Sequence, residues 1–172
     1  GWLRSYRGGC MRKLILLAAV AALFLVAFPV GSAGADSPFE EVSLEVNTEF
    51  SPTAPPNGSF TASGPAVDAG LICSSGWSLD AGGKFSPRDN PNVGVNIQAV
   101  KVFKCGATSW TDDVPHGFMM RLQIHFDKKG GSINWVVIDG WGDYANMAGN
   151  GDGSSVGSMA EGITDSLSGK IR

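Results

Sequence analysis

The chain has 172 residues, of which 43% are hydrophobic and 17% charged, and its net charge is −3. This length is sufficient for one domain with a buried core. The acidic balance argues against nucleic acid as a partner, because binding to phosphates requires a basic surface.

A secretory signal peptide is predicted near the start of the chain. Met11 is followed by two basic residues, Arg12 and Lys13, and then by the apolar residues 14–30. Small residues with an Ala-x-Ala pattern occupy positions 31–35, as at a signal-peptidase cleavage site. The functional protein is therefore expected to work outside the cytoplasm, as a secreted protein.

These features divide the chain into three parts. Residues 1–10 are expected to be a non-native or mis-assigned leader, residues 11–35 a helical signal peptide, and residues 36–172 the mature domain. An uncleaved membrane anchor is the alternative, because the apolar stretch approaches the length of a bilayer span. Pro29 and the small residues after it favour cleavage, so contact with a membrane is expected only through the signal peptide before its removal.

Removal of the leader changes the charge and the cysteine count. The mature chain keeps nine of the 13 basic residues and all 16 acidic ones, which gives a net charge of −7. It also keeps two of the three cysteines, Cys73 and Cys105, which are expected to form a disulfide in an oxidising compartment. In the chain-entropy model this bond stabilises the fold by roughly 3–4 kcal/mol. A reactive or metal-binding pair is the alternative, but no His or further Cys lies at ligand spacing.

Alternating apolar and polar residues predict strands in the first part of the mature domain. Residues 41–50 alternate clearly, whereas 51–59 are expected to form a connection because Pro52, Pro55 and Pro56 disfavour a central strand. Three further strands are predicted before residue 110. They are 60–63, a strand that begins at 71–73 and includes 77–79, and 93–105, which follows a loop at 87–92.

The strongest strand signal lies in residues 118–127. Phe, Met, Leu, Ile and Phe alternate there with polar residues and one Met, so one face is predicted to be buried. Residues 128–131, with the sequence Lys-Lys-Gly-Gly, are predicted to form a hairpin turn into a partner strand at 132–138.

The predicted fold is all-β. No segment after residue 36 has a convincing helical period with caps, although a helical turn at 158–161 is an alternative to strand or loop. Several short strands separated by turn signals favour a single antiparallel β-barrel, with a sandwich as the alternative.

The C-terminal third resembles a known group of barrels. Residues 135–151 (WVVIDGWGDYANMAGNG) and 162–171 (GITDSLSGKI), with a looser match at 58–62, are similar to secreted bacterial β-proteins. The Gly-x-Gly-aromatic pattern also resembles dirigent proteins and the related allene oxide cyclase barrel. Trp141 departs from this pattern, in which a small Thr is usual. The resemblance implies a barrel, but it places no catalytic residue on this chain. Independently of it, the glycines of 140–151 allow close backbone approach, so that Tyr144 can plug one end of the barrel at a structural corner, with a ligand-binding loop as the alternative.

Five residues are candidates for binding a ligand. Trp110 and Trp141 lie near predicted turns, where exposed aromatic rings stack on sugars or apolar molecules. Met119, Arg121 and His125 share the wetter face of the strand at 118–127. If that face lined a cavity, His125 could act as a general base; otherwise these residues form a solvated stripe.

Metal and cofactor sites are not expected. One candidate cluster combines His116 with Asp112 and Asp113, and a second contains the oxygen ligands Asp139, Asp143, Asn150 and Asp152. Neither has the spacing of an established metal motif. Residues 153–157 match the Gly-x-Ser-x-Gly pattern, but they do not lie between a predicted strand and a strong helix, as a nucleophile elbow requires.

Two functions follow from these predictions. The first is a non-catalytic barrel that binds a small apolar or aromatic molecule, or that serves as an extracellular interaction module. The second is a dirigent- or cyclase-like protein that steers a reactive intermediate. A wholly apolar cavity would favour binding, and a filled barrel would favour an interaction role. A buried carboxylate with a perturbed pKa would favour the second function.

Overall fold

Eight antiparallel strands form a closed barrel, in which each strand pairs with the next and the last pairs with the first. The structure, a computed structural model, describes residues 38–87, 94–127 and 130–172, and for 85–87 the backbone alone. The strands are β1 Glu40–Ser51, β2 Ala54–Ser63, β3 Ser75–Pro87, β4 Val95–Cys105, β5 Gly117–Asp127, β6 Gly130–Trp141, β7 Gly149–Ser158 and β8 Gly162–Ile171. The all-β class and the antiparallel barrel predicted from the alternation are confirmed.

Helical structure is confined to two short pieces within the described residues. Helix α1 (Pro65–Asp68) lies between β2 and β3, and a 3-10 turn (Gly142–Tyr144) lies between β6 and β7. No helix in this part of the chain is long and apolar enough to cross a membrane. The predicted leader, the signal peptide and residues 128–129 of the predicted hairpin lie outside the described residues.

Three boundaries predicted from the sequence are wrong. Pro55 and Pro56 belong to β2 rather than to a loop. They lie before Asn57, the first β2 residue paired with β3, so their missing N–H groups remove no bond from that ladder. Residues 71–73 precede β3 instead of starting a strand. Residues 130–131, predicted as part of a turn, are the first residues of β6. Residues 159–161 form the turn between β7 and β8, and a loop was one of the alternatives predicted there.

The hairpin prediction for β5 and β6 is confirmed. The two strands pair from Gly117 and Trp141 down to Asp127 and Gly130. The inward-facing residues of β5 are the predicted ones, Phe118, Met120, Leu122, Ile124 and Phe126. Strict alternation thus predicted correctly which side chains enter the barrel.

One end of the barrel is filled with aromatic side chains. Phe103 and Phe118 stack with their ring centroids 4.7 Å apart, and Phe60 meets both rings edge-on. Tyr144, from the 3-10 turn, packs edge-on against Phe118 at 6.2 Å, in agreement with its predicted role as a plug. We call this end, which also receives Ile72 and the β4–β5 connection, the closed end.

Glycines on β7 and β8 make room for the largest core side chain. Trp135 of β6 is buried and lies so close to Gly151 and Gly169 that a Cβ at either position would be within 2.7 Å of its ring. The Trp135 indole N–H donates to the backbone oxygens of Asp152 and Ser168. The ring therefore fills the space that side chains from these strands would otherwise occupy.

The two cysteines are joined at the closed end. Cys73 and Cys105 form a disulfide, 32 positions apart in sequence, as predicted. The bond ties the connection before β3 to the last residue of β4. Together with the aromatic cluster it holds the closed end together.

Candidate functional site

A cavity of about 390 Å³ lies inside the barrel, beyond the packed core. Its lining residues come from β1, β2, β3, β4, β5, β7 and β8, near the ends of these strands that meet in hairpins, and from the turn between β7 and β8. We call this the open end. The apolar residues of the wall are Phe50, Pro56, Ile97, Ala99, Ile124, Phe126, Met159 and Ile163. Eight-stranded barrels enclose either packed side chains or a cavity for one small ligand. This barrel has packed side chains at one end and a cavity at the other.

Five polar residues separate the cavity from the packed core, and we call them the polar floor. They are Thr48, Asp80, Lys101, Ser155 and Asp165. Four of them are buried, and Asp80 is partly exposed, with 24% of its side chain accessible. Because the five residues come from five different strands, only barrel closure brings them together.

Lys101 lies at the centre of the polar floor and is only 4% exposed. Its Nζ donates to Asp80 Oδ1 at 2.7 Å and to Thr48 Oγ1 at 2.9 Å. Asp80 lies directly opposite Lys101 on the neighbouring strand. A β-bulge immediately after Asp80, at Ala81 and Gly82, changes the register of β3 at the cavity wall, as bulges beside functional sites often do. These contacts take two of the three hydrogens of the buried ammonium group.

Asp165 is the second carboxyl group of the polar floor, and it is 2% exposed. Its Oδ1 accepts a hydrogen bond of 2.7 Å from Ser155, its cross-strand neighbour, and its Oδ2 lies 3.9 Å from Lys101 Nζ. Burial raises the pKa of Asp165, and the carboxylate of Asp80 raises it further, while Lys101 and Ser155 oppose this shift. The net direction is upward because burial is the largest of these effects.

The predicted ligand-binding residues of β5 lie elsewhere. Met119, Arg121 and His125 alternate with the buried residues of the strand and point out of the barrel. His125 Nδ1 lies 2.7 Å from Asn96 Oδ1 on the outer surface. The cavity does not include these three side chains, so this arrangement agrees with the solvated stripe and offers no support for a general base. Their ligand binding stays a prediction.

The two predicted tryptophans also lie away from the cavity. Trp110 is 38% exposed in the β4–β5 connection, where Lys104 Nζ donates to its backbone oxygen. Trp141, at the end of β6, packs against Gly117 and donates its indole N–H to the Val114 oxygen. Trp141 therefore holds the β4–β5 connection in place, and Trp110 is the more accessible of the two rings.

The side chains of the two candidate metal clusters do not converge on a common point. His116 Nδ1 lies 3.3 Å from Asp143 Oδ2 and accepts a hydrogen bond from the Asp143 N–H, so these residues pair with each other. Asp112 accepts hydrogen bonds from Thr108 and Ser109, which lower its pKa and stabilise a local turn. Among the residues that the structure describes, no group of three or more His, Cys, Asp or Glu side chains is placed to hold a metal ion.

The polar floor was missed at the sequence level, although a signal was available. Lys101 follows Ala99 and precedes Phe103 in the inward-facing series of β4, and Asp165 has the same relation to Ile163 and Leu167. A charged residue at an inward position of a strand is costly unless it is paired. Two such positions in one sequence therefore suggest one buried pair.

Comparisons with known proteins add no further information about the site. No protein-family model, curated protein or solved structure matches the chain.

Proposed function

We propose that this protein binds a small, largely apolar molecule in the cavity at the open end of its barrel. The observation that carries the proposal is a cavity of about 390 Å³ with apolar walls and a floor of convergent polar groups. Small-molecule sites typically have this size and combination, in which apolar walls give affinity and a few polar groups set orientation.

Secretion is part of the same proposal. The Cys73–Cys105 disulfide is typical of an oxidising compartment, and residues 11–35 have the pattern of a signal peptide. We therefore infer that the protein meets its ligand outside the cell.

A cavity-filling substitution tests the binding proposal. Ala99 lines the cavity on β4, and an Ala99→Phe side chain would occupy part of its volume. Ala145, exposed in the β6–β7 connection, offers the matched control Ala145→Phe. Native mass spectrometry of protein purified from its own secretion medium should show a retained small molecule on wild type and on A145F, and none on A99F. Bare protein mass for all three would contradict the proposal and favour an interaction module.

A dirigent- or cyclase-like activity is the second candidate. The observation that favours it is Asp165, a buried carboxyl group with a raised pKa at the cavity floor. Such a group can give a proton to a bound intermediate. Chiral chromatography of products released by wild type and by Asp165→Asn tests this candidate. One enantiomer from wild type and a racemate from D165N would support it, and identical mixtures would reject it.

A further inference from the structure

The polar floor contains one cation and two carboxyl groups. Lys101 is paired with Asp80 at 2.7 Å, whereas Asp165 Oδ2 is 3.9 Å from the same ammonium, beyond hydrogen-bond distance. With both carboxyl groups ionised the floor would carry one uncompensated negative charge in an apolar cavity. Such a charge is costly to bury, so Asp165 is expected to hold a proton, in agreement with the direction in which burial shifts its pKa.

Protonation turns Asp165 into a hydrogen-bond donor. A carboxylic acid has one O–H donor, and Asp165 Oδ1 already accepts a hydrogen bond from Ser155. The proton therefore belongs on Oδ2, the oxygen nearer to Lys101. The Lys101 ammonium has three donor hydrogens, of which Thr48 and Asp80 receive two.

The spacing of these two groups allows one oxygen atom, placed beside them in the cavity, to contact both. The distance of 3.9 Å between Lys101 Nζ and Asp165 Oδ2 is less than twice a hydrogen-bond length of about 2.8 Å. A single oxygen can therefore lie within reach of both donors. The two donors would suit an acceptor that has two lone pairs and brings no charge of its own.

The charges of the floor discriminate between ligand head groups. A carboxylate would add a negative charge to a floor that the Lys101–Asp80 pair leaves neutral, and it would lie beside Asp80. An ammonium group would lie near the Lys101 cation and present donors to donors. A ketone, aldehyde or amide oxygen avoids both conflicts.

We propose that the ligand of this cavity carries a neutral carbonyl oxygen, held between the Lys101 ammonium and the carboxyl group of Asp165. This inference rests on the proposed binding function and names the chemical class of its ligand. The apolar body of the molecule packs against Ile97, Phe126 and Ile163, and the carbonyl group is directed toward the packed core.

Four probes with one naphthalene ring test the inference on the purified mature protein. They are 2-acetylnaphthalene, 2-ethylnaphthalene, 2-naphthoate and 2-(aminomethyl)naphthalene, which differ only in the head group. Isothermal titration calorimetry should give the ketone a Kd at least tenfold lower than those of the other three. Equal binding of all four, or tighter binding of naphthoate or of the amine, would overturn the inference and leave cavity binding intact. Binding of none would overturn the proposed function itself.

Variants of Asp165 show whether the preference arises at the floor. Asp165→Asn keeps a neutral donor, so it should keep the ketone preference. Asp165→Leu loses the donor and should bind the ketone and the ethyl compound within about threefold of each other. Ile163→Val, a cavity wall variant, is the control and should weaken all probes equally. Retention of the full preference in D165L, with its fold verified by circular dichroism, would overturn the role of Asp165.

Discussion

The closed and open ends of the barrel use the same strands and the same alternation but fill them differently. At the closed end Phe60, Phe103 and Phe118 are almost fully buried and pack on one another. At the open end some inward positions carry small or charged side chains, among them Ala99 and Lys101, and a cavity remains. The comparison teaches that one barrel can hold a packed core at one end and a cavity at the other, with the polar floor between them.

The largest loss of stability is expected from a substitution at the closed end. Phe118→Ala removes a ring that three other rings contact, and it should lower the free energy of unfolding by about 4 kcal/mol. Phe50→Ala, at the half-buried cavity wall, is the matched change and should cost less than about 2 kcal/mol. Denaturant unfolding of both variants measures the difference. Equal losses would show that the open end is packed as tightly as the closed one.

A substitution in the polar floor, which lies between the two ends, should cause the next largest loss of stability. Lys101→Met leaves the carboxyl groups of Asp80 and Asp165 without their cation, and it should cost about 3 kcal/mol. Lys170→Met, on the exposed face of β8, should stay within about 0.5 kcal/mol of wild type. Thermal and denaturant unfolding give both values. A Lys101 variant as stable as the Lys170 variant would mean that the buried ammonium makes no net contribution.

The disulfide tests how far the closed end depends on a covalent link. Replacement of Cys73 and Cys105 by Ser should lower the free energy of unfolding by about 3 kcal/mol, mainly because the unfolded chain gains freedom. Wild type unfolded under a thiol reductant is the companion measurement and should reach the same midpoint. An unchanged midpoint in both experiments would assign the stability of this end to the aromatic cluster alone.

The smallest expected effect is the pH dependence that comes from Asp165. Its folded pKa is raised above the unfolded value, so the folded state keeps a proton that the unfolded state has lost. The stability of wild type relative to D165N should therefore be greatest below the unfolded pKa and fall as pH rises through the folded pKa. The loss is about 1.4 kcal/mol for each pH unit that separates the two pKa values. Parallel pH profiles for both proteins would show that Asp165 is ionised at the floor.

Much of the fold could be predicted from local patterns. The ten-residue alternation in β5 identified its buried face, and the turn signal after it identified its hairpin partner. The cysteine count identified the disulfide. These features follow from the two-residue period of a strand and from pairing in an oxidising compartment. The proline-rich start of β2 was mispredicted because prolines are tolerated where a strand has not yet met its neighbour.

The candidate site could not be predicted in the same way. Met119, Arg121 and His125 are close in sequence and share a face, but that face points out of the barrel. Thr48, Asp80, Lys101, Ser155 and Asp165 are far apart in sequence and meet only inside the closed sheet. Chemistry-bearing residues that share a strand face are therefore a poor guide to a site that is built across strands.

The sequence by itself determined the all-β antiparallel class, the cysteine pair and the inward side of β5, since these follow from local alternation and from the cysteine count. The tertiary structure decided which end of the barrel is filled and which holds a cavity, and it brought two carboxyl groups to one buried ammonium. The physical reason is that the register of eight strands sets which inward side chains share a layer. The burial that raises the pKa of Asp165 exists only after β1 has paired with β8 and the barrel has closed.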